Sequence, residues 1–430
     1  MVKRYLNNSV FLAALICIIL FYSGLIKLQD RNKFCSTLPC NSIFCLYGQL
    51  ISSPVKISGG NYYSSKMAVF NCQGKMDGTN SLIKASAFGN IKVYIPTNLV
   101  EAFFPGKLYS SALNYNDEET LQTMYEAGGN YILQGNFSRD GQSFYVSSCK
   151  KAFFPQSLYG RFDHFRALCR LQFKRLMFAW GQGGGLLLAL LCAAKEYTSS
   201  ELSLSFKNAG LSHILALSGM HLSMFSGIAL FFGKRIGRRK LSFIIRIITL
   251  VIFVWFAGLS PSLLRAFLCS LFMIIASLAN VKKPDMLLIL AFTFLCHIII
   301  SPADIYSTAF ILSYSALAGI LLTKDFFTSF YNHFMPYYFS NSLGSSSGAQ
   351  LFTAPISLTV FGTFSPIGII ATSIVSPLIT IFIYSGLILI LLSLLIPPLA
   401  QASGIFINLE YTVIKFITTF FSKAPVLQIN

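Results

Sequence analysis

Apolar and polar stretches divide this chain into a short apolar run, a long mixed region and a long apolar region. The first apolar run covers roughly residues 9–26, roughly 150 residues of mixed sequence follow, and apolar segments dominate from Gly183 onward. An apolar run of about 20 residues is long enough to cross a bilayer as a helix. We therefore predict four regions, in this order: an N-terminal membrane anchor (1–27), an extracytoplasmic β domain (28–150), a basic amphipathic interfacial helix region (151–182) and a multi-helix membrane domain (183–430).

The loops between the apolar segments indicate how the chain crosses the membrane. Spans are predicted near residues 211–232, 242–258, 262–280, 285–300 and 306–323. The loops GKRIGRRK and VKKP are cationic, whereas GLSPS and SPADI carry no cation. Because cationic loops stay in the cytoplasm, we predict a cytoplasmic N-terminus and an external β domain. The segment FYSGLIKLQD lacks a small-residue cleavage site, so the anchor is predicted to be retained.

Two apolar segments do not fit a single straight span. The segment GGLLLALLCAAK at 184–195 is too short to cross the bilayer, and we predict a re-entrant or interfacial helix. The run from Pro366 to Leu395 is too long for one straight span and contains Pro377. Three forms of this run stay open: a broken helix, a kinked helix or two pieces.

The region 28–150 predicts short β-strands. β-Rich runs are separated by Gly, Asn, Asp or Pro turns: LYGQLISSPVKI, KMAVFNCQG, SLIKASAF, IKVYIP, KLYSSAL, YILQGNF and QSFYVSSC. Their number and spacing suit a small antiparallel barrel, with an OB-like fold as one candidate. The predicted fold class is a polytopic α-helical membrane domain plus an external all-β OB-like barrel domain.

The residues of the predicted strands allow two further interpretations each. Cys72 and Cys149 lie in an early and a late strand, and an oxidising compartment permits a disulfide between them; buried thiols are the alternative. Strand tyrosines form either an exposed stacking platform for bases or ordinary strand packing: Tyr62, Tyr63, Tyr94 and Tyr145. Ten Lys and Arg nearly balance eight Asp and Glu in this domain. Nucleic-acid binding by it would therefore need a local groove.

Composition and charge place the chain in the membrane class. Hydrophobic residues make up 54% of the chain and charged residues 11%, and the net charge is +18. Part of that charge lies in SLYGRFDHFRALCRLQFKRLMFAWGQ, where cations alternate with apolar residues at helical spacing. A helix on anionic headgroups is one interpretation, and a DNA-attracting collar at a pore entrance is the other. The cations concerned are Arg161, Arg166, Arg170, Lys174 and Arg175.

The segment HILALSGMHL at 213–222 is the main candidate for chemistry, because ionisable residues are costly in an apolar region. His213 and His221 are eight residues apart with no acid between them, which disfavours a zinc protease. Ser218 and His221 are spaced as a nucleophile and base, but no orienting third group is identifiable. The GQGGG run lacks the GK[ST] ending of a P-loop. We expect no cofactor, no metal site and no enzymatic activity.

Four stretches together resemble the ComEC family of competence proteins. FKNAGLSHILALSGMHLSMFSGI is similar to the family signature, and three further stretches follow in the family order: SPSLLRAF, FILSYSALAGI and AQLFTAPISLTVFGTFSPIGIIATSIVSPL. The chain departs from the usual pattern at Met220, Leu222, Ser223 and Thr372. These departures are mild changes in packing.

The resemblance implies a channel in the cytoplasmic (inner) membrane that takes up single-stranded DNA during natural transformation. In such a channel His213, Ser218, Gly219, His221 and Arg265 are candidates to line the DNA path. The implied partners are single-stranded DNA, membrane lipids, an external DNA receptor, a separate nuclease, a cytoplasmic motor and further copies of the chain. Many relatives continue into a metallo-β-lactamase-like domain, and no HxHxDH cluster occurs in this sequence. A small-solute or ion transporter and a membrane scaffold for the external domain are the alternatives.

Overall fold

The computed structural model shows a β domain joined to a bundle of helices. It describes residues 8–26, 33–57, 61–76, 79–101, 125–150, 154–194, 198–217, 219–235 and 239–428. The strands are β1 (Cys35–Ser36), β2 (Ile43–Leu50), β3 (Val55–Lys56), β4 (Tyr62–Met76), β5 (Thr79–Pro96), β6 (Asn130–Phe137), β7 (Ser143–Lys150), β8 (Thr363–Phe364) and β9 (Leu427–Gln428).

The helices begin before the β domain and continue after it. They are α1 (Ser9–Tyr22), α2 (Thr97–Glu101), α3 (Leu158–Ala179), α4 (Gly181–Cys192), α5 (Ser200–Asn208), α6 (Gly219–Arg235), α7 (Arg239–Ala257), α8 (Pro261–Leu278), α9 (Met286–Ile300), α10 (Thr308–Tyr331), α11 (Tyr337–Phe361), α12 (Gly368–Leu395) and α13 (Leu399–Ser422). A 3₁₀ turn, Pro302–Tyr306, joins α9 to α10.

Strands β1 to β7 form one sheet with the order β1-β5-β7-β6-β2-β4-β3, and β4 also pairs with β5. The pairs are antiparallel except for β5 and β7, which run parallel. The runs SLIKASAF and IKVYIP, predicted as two strands, form the single strand β5. The run KLYSSAL lies outside the described residues.

The period-two pattern of the strands separates an apolar core from an outer face. On β4 and β5 the side chains of Tyr63, Met67, Val93 and Ile95 are buried together, and their neighbours along each strand point the other way. The core extends beyond residue 150, because Ala167 and Leu171 of α3 pack into it. The β domain is therefore completed by the helix that follows it.

Of the two interpretations of Cys72 and Cys149, the structure has the thiols rather than the disulfide. Cys72 lies on β4 and Cys149 on β7, and these strands do not pair: β5 stands between them on one side, and β2 and β6 on the other. Neighbouring strands are about 4.8 Å apart, whereas a disulfide needs Cα atoms within about 7 Å. Cys149 is hydrogen-bonded to Tyr125, and burial raises the pKa of its thiol to about 11.

Helix α3 connects the two parts with its cations turned inward. Arg170 and Lys174 are 3% and 2% exposed, although they lie on the polar face of the sequence pattern. The N-terminal half of the same helix exposes apolar side chains, including Tyr159, Phe162 and Phe165. The prediction that the cations of α3 face lipid headgroups is therefore wrong for Arg170 and Lys174, which protein atoms cover.

One carboxylate holds these two cations. Glu126, 2% exposed, lies 2.6 Å from the Lys174 ammonium and 3.3 Å from the Arg170 guanidinium. The Ser53 hydroxyl donates to the same carboxylate at 2.7 Å. Burial alone would raise the pKa of Glu126, but Lys174 and Arg170 lower it to about 2. This cluster, which we call the Glu126 network, ties the β domain to α3.

The Glu126 network also reaches the helical bundle. The Arg170 guanidinium donates to the Phe256 carbonyl at 2.9 Å and to the Ala257 carbonyl at 3.4 Å, at the C-terminal end of α7. Carbonyls at a helix C-terminus lack intrahelical donors and favour cations. Arg170 therefore contacts three parts of the molecule at once.

Helices α3 and α4 form a hairpin that turns at Trp180 and Gly181. Gly181 has a φ of 64°, a conformation that favours glycine. The Asn408 side chain of α13 donates to the Trp180 carbonyl at 2.7 Å and accepts from the Gly183 amide at 3.0 Å. Helix α4 has 12 residues and is buried from Gly183 to Cys192. It is about 18 Å long, and its burial favours the re-entrant form over the interfacial form.

Five helices among the described residues are long and apolar enough to cross a membrane: α7, α8, α10, α12 and α13. The predicted span 211–232 becomes helical only at Gly219. The run from Pro366 to Leu395 forms one helix, α12, which contains Pro377 and is not divided into two pieces. Helix α1 packs against α9 and α10, and its Tyr22 hydroxyl donates to the Ile305 carbonyl at 2.8 Å.

Replacing Glu126 tests whether its network holds the two parts together. Glu126→Gln keeps the side-chain shape but leaves Arg170 and Lys174 as buried cations without a counter-charge. Removing one partner of a buried ion pair costs about 3–5 kcal/mol, so we expect a lower unfolding temperature for the purified full chain in detergent. Asp140→Asn is the matched control, because Asp140 is exposed on the same domain. Unfolding of Glu126→Gln at the wild-type temperature would contradict this role.

Candidate functional site

The segment before α6 is irregular where a continuous helix was predicted. Residues 209–217 are not helical, and Gly210 has a φ of 73°. The Ser365 hydroxyl donates to the Asn208 carbonyl at 2.7 Å, which ties the end of α5 to the loop before α12. Leu211, Ile214 and Leu215 are buried in the main helical core. Irregular backbone is tolerated at membrane depth only where protein or a cavity surrounds it.

The predicted histidines of this segment occupy different environments. His213 is accessible at the surface, yet protein surrounds it, and its ring hydrogen-bonds to the Gly210 backbone. This combination is that of a group in a recess. His221 lies in the first turn of α6 and is fully buried. Ser218 lies outside the described residues, so its pairing with His221 stays a prediction.

Arg265 is brought to the beginning of α6. Its side chain is 9% exposed and lies on α8, and one guanidinium nitrogen is 3.3 Å from the place where a Cβ of Gly219 would be. The absence of a side chain at Gly219 therefore leaves room for the guanidinium. Gly219 and Arg265, two of the residues predicted to line the DNA path, therefore lie within contact distance of each other.

Arg265 lacks a counter-charge among the described residues. Its Nε is buried without a hydrogen-bond acceptor, and no described carboxylate forms an ion pair with it. The groups that interact with it electrostatically are the Cys269 thiol and the Tyr314 hydroxyl. Both are neutral at pH 7 in their ordinary states. An unpaired buried cation is costly, which marks this position as a functional candidate.

A chain of polar contacts approaches Arg265 from the turn between α9 and α10. The Asp304 carboxylate is 3.3 Å from His297 Nε2, and the Tyr314 hydroxyl is 3.2 Å from His297 Nδ1. His297 is fully buried. When the His297 ring is neutral and its Nε2–H donates a hydrogen bond to the Asp304 carboxylate, its Nδ1 accepts a hydrogen bond from the Tyr314 hydroxyl. Sequence reasoning left His297 unexplained and missed Asp304 and Tyr314.

The predicted cation collar is only partly present. Arg170 and Lys174 cannot contact DNA as predicted, because both are buried and share the Glu126 carboxylate. Arg161 is exposed and Arg166 is half-buried beside Gly258. Arg175 lines a groove of about 810 Å³ with Trp180, Gln401 and other residues. The collar remains a prediction for Arg161, Arg166 and Arg175.

The outer face of the β domain carries an aromatic cluster with a lysine, which we call the tyrosine stripe: Tyr62, Tyr94, Tyr145 and Lys92. The rings of Tyr94 and Tyr145 are stacked with centroids 4.9 Å apart, and Tyr62 meets Tyr145 edge-on at 5.6 Å. The Lys92 ammonium lies 4.9 Å from the Tyr94 ring centroid. Tyr62 and Tyr145 are 37% and 41% exposed. Exposed rings beside a cation can stack bases and contact phosphates. Tyr63 points to the core instead.

The described residues offer no group of three or more His, Cys, Asp or Glu side chains that could hold a metal ion. His297 and Asp304 do meet, but their third polar contact is the Tyr314 hydroxyl.

Comparisons with known proteins point to one family. A model of the family described as "Competence protein" matches residues 190–430. "ComE operon protein 3" of Bacillus subtilis (strain 168) is 26% identical over 217 residues, which are 49% of this chain and 27% of that protein. An "Uncharacterized protein" of Aquifex aeolicus (strain VF5) is 28% identical over 232 residues, 54% of this chain and 53% of that protein. The chain thus matches about a quarter and about half of these relatives. No solved structure matches it.

Replacing His297 tests the polar chain. His297→Leu fills a similar volume but removes both ring nitrogens. The Tyr314 hydroxyl and the Asp304 carboxylate then lose the hydrogen-bond partner that they share. Leaving buried polar groups unsatisfied costs about 1–3 kcal/mol each, so we expect a lower unfolding temperature for the full chain in detergent. His333→Leu is the control because His333 is exposed. If the two variants unfold at the same temperature, the contacts of His297 do not stabilise the bundle.

Proposed function

The chain belongs to the competence protein family, and we propose that it takes up single-stranded DNA across the cytoplasmic membrane during natural transformation. In this proposal the helices from α6 to α13 form the passage through the membrane. The β domain acts as an OB-like module on the outer side, and the N-terminus lies in the cytoplasm. The basic loops around residues 233–240 and 281–284 support this orientation.

The observation that carries the proposal is the tyrosine stripe. Its three rings contact one another on an outer face of the sheet, and a lysine covers one of them. A nearly charge-balanced domain needs such a local surface to bind a nucleic acid. Bases offer a π-face whatever their identity, so stacking on tyrosines suits a protein that must accept any sequence. A small-solute transporter has no use for this surface.

The structure also gives the β domain a fixed place beside the bundle. The Glu126 network and the apolar contacts of Ala167 and Leu171 hold the domain on α3. Lys66, next to the stripe on the outer face of β4, interacts electrostatically with Asp304 in the turn between α9 and α10. DNA bound on the stripe would therefore lie close to the helices. An external receptor, a cytoplasmic motor and further copies of the chain are proposed partners.

Substitution of the tyrosine stripe tests the proposal. In the full chain, Tyr94→Ser combined with Tyr145→Ser removes the stacked pair, and loss of base stacking costs about 1–3 kcal/mol per base. We expect weaker binding of single-stranded DNA by the purified protein and reduced entry of labelled DNA into cells that carry the variant. Phe88→Ser is the matched control, since Phe88 is an exposed strand aromatic outside the stripe.

Three outcomes separate the candidate functions. Lost DNA entry with intact protein levels supports uptake. Normal DNA entry in cells that lack the chain altogether contradicts the uptake proposal, and a small-solute or ion transporter is then the remaining candidate function. Normal entry in the stripe variant, with entry lost when the chain is deleted, would contradict the role of the stripe and leave the β domain as a docking module on a membrane scaffold.

We further propose that a separate protein degrades the strand that does not enter. Hydrolysis of DNA by metal ions requires clustered ligands that hold them and position water. Incubating the purified chain with labelled single-stranded and duplex DNA plus manganese, magnesium or zinc should leave the DNA intact. Cleavage that persists through purification and disappears in His221→Ala would contradict this expectation.

A further inference from the structure

The described surroundings of Arg265 have the composition of an anion-binding site. The guanidinium is nine-tenths buried, its Nε lacks an acceptor, and its electrostatic neighbours Cys269 and Tyr314 are uncharged groups. By contrast, the other deeply buried arginine, Arg170, has Glu126 and two carbonyls as partners. Among the described residues, none balances the charge of Arg265.

Helix α6 begins where the guanidinium is directed. It has 17 residues and starts at Gly219, within reach of the Arg265 nitrogen. The first amides of a helix have no intrahelical acceptor, and the helix dipole adds partial positive charge there. Together with a buried guanidinium, such an end favours an anion with several acceptor oxygens. A side chain at position 219 would occupy part of this space.

We propose that Arg265 and the first turn of α6 bind one phosphodiester group of a single-stranded DNA chain, an assignment that rests on the proposed function. A phosphodiester carries one negative charge, which matches the single charge of Arg265. Its two non-bridging oxygens suit a guanidinium fork on one side and helix amides on the other. The His297 side chain holds the Tyr314 hydroxyl beside this site, so one wall is fixed by hydrogen bonds from α9 to α10.

The same phosphodiester chemistry occurs in phospholipid headgroups. The contacts that lead from Lys66, next to the tyrosine stripe, through Asp304, His297 and Tyr314 to Arg265 favour DNA as the source. A lipid headgroup is the alternative occupant, and the experiment below separates the two.

The test measures binding of a fluorescent thymidine dinucleotide to the purified full chain in detergent without anionic lipid. A second probe carries a neutral methylphosphonate linkage in place of the phosphodiester. Both are measured in the Tyr94→Ser, Tyr145→Ser background, so that the stripe does not contribute. We expect the charged probe to bind about tenfold or more tightly than the neutral one, because charge-assisted hydrogen bonds are the strong ones.

The variants assign the difference to Arg265. Arg265→Gln should make the two probes bind equally, and Arg265→Lys should retain part of the preference because the charge remains without the planar fork. Arg246→Gln is the matched control, since Arg246 lies on the neighbouring helix α7 and its guanidinium already donates to Ser226 at 3.1 Å. This control should keep the full preference. The comparison of probes on the parent protein stays informative even if Arg265→Gln does not fold.

The outcomes are distinguishable from those of the uptake proposal. Equal binding of both probes to the parent protein overturns the site. A preference for the charged dinucleotide that short-chain phosphatidylglycerol abolishes at a much lower concentration than single-stranded DNA keeps the anion site but overturns its assignment to DNA. If Arg265→Gln leaves DNA entry and the preference for the charged probe unchanged while the stripe variant blocks entry, the result supports the uptake proposal and contradicts the Arg265 site. If the preference for the charged probe depends on Arg265 but cells that lack the chain take up DNA normally, the result supports the anion site and contradicts the proposed function.

Discussion

The Glu126 network determines how the two parts of the molecule are joined. A buried carboxylate with two cations is stable only because the three groups are ion-paired and hydrogen-bonded at close range, since every one of them loses its hydration on burial. Residues of the β domain, of α3 and of the end of α7 contribute to the network. Arg170 and Lys174, in the C-terminal half of α3, are turned inward to reach it, whereas Tyr159, Phe162 and Phe165 in the N-terminal half are exposed. The orientation of α3 in turn places Trp180 at the turn into the buried helix α4.

The cations of helices α3, α7 and α8 differ in their partners. Arg170 and Lys174 share one carboxylate, and Arg246 donates to the Ser226 hydroxyl. Arg265 has neither kind of partner among the described residues, although it is 9% exposed. A compensated cation contributes to the architecture, whereas an uncompensated one is retained at a cost in stability. This difference is the physical reason why we assign Arg170 a structural role between the β domain and the helices, and Arg265 a role in binding a ligand.

Sequence reasoning predicted the elements whose signal is local. Helices α7, α8 and α12 and the shorter α9 begin and end within a few residues of the predicted apolar runs, because the length of an apolar run and backbone hydrogen bonding limit a helix in a membrane. Strands β2, β4, β6 and β7 follow from their β-rich runs and turn residues. The start of α6 was misplaced because apolar composition does not distinguish a helix from an irregular segment that protein buries.

Features that depend on distant residues were missed for a common reason. The partners in the Glu126 network are 48 residues apart in the chain, so a helical pattern of cations could not reveal that they face protein. The sequence could not decide between a disulfide and two thiols for Cys72 and Cys149, because strand order, which the sequence does not determine, leaves β4 and β7 unpaired with each other. His297 was visible as a polar residue in an apolar run, but Tyr314 is buried with it only after α9 and α10 pack.

The polar groups that remain form a connected line between the two candidate sites. Lys66 lies on the outer face of β4, directly across from Lys92 of the tyrosine stripe on β5. From there, electrostatic and hydrogen-bond contacts lead through Asp304, His297 and Tyr314 to Arg265. Each of these side chains except Arg265 has its charge or hydrogen-bonding capacity met by its neighbours along the line. An anion at Arg265 would therefore complete a series of compensated polar groups, rather than introduce an isolated charge into an apolar bundle.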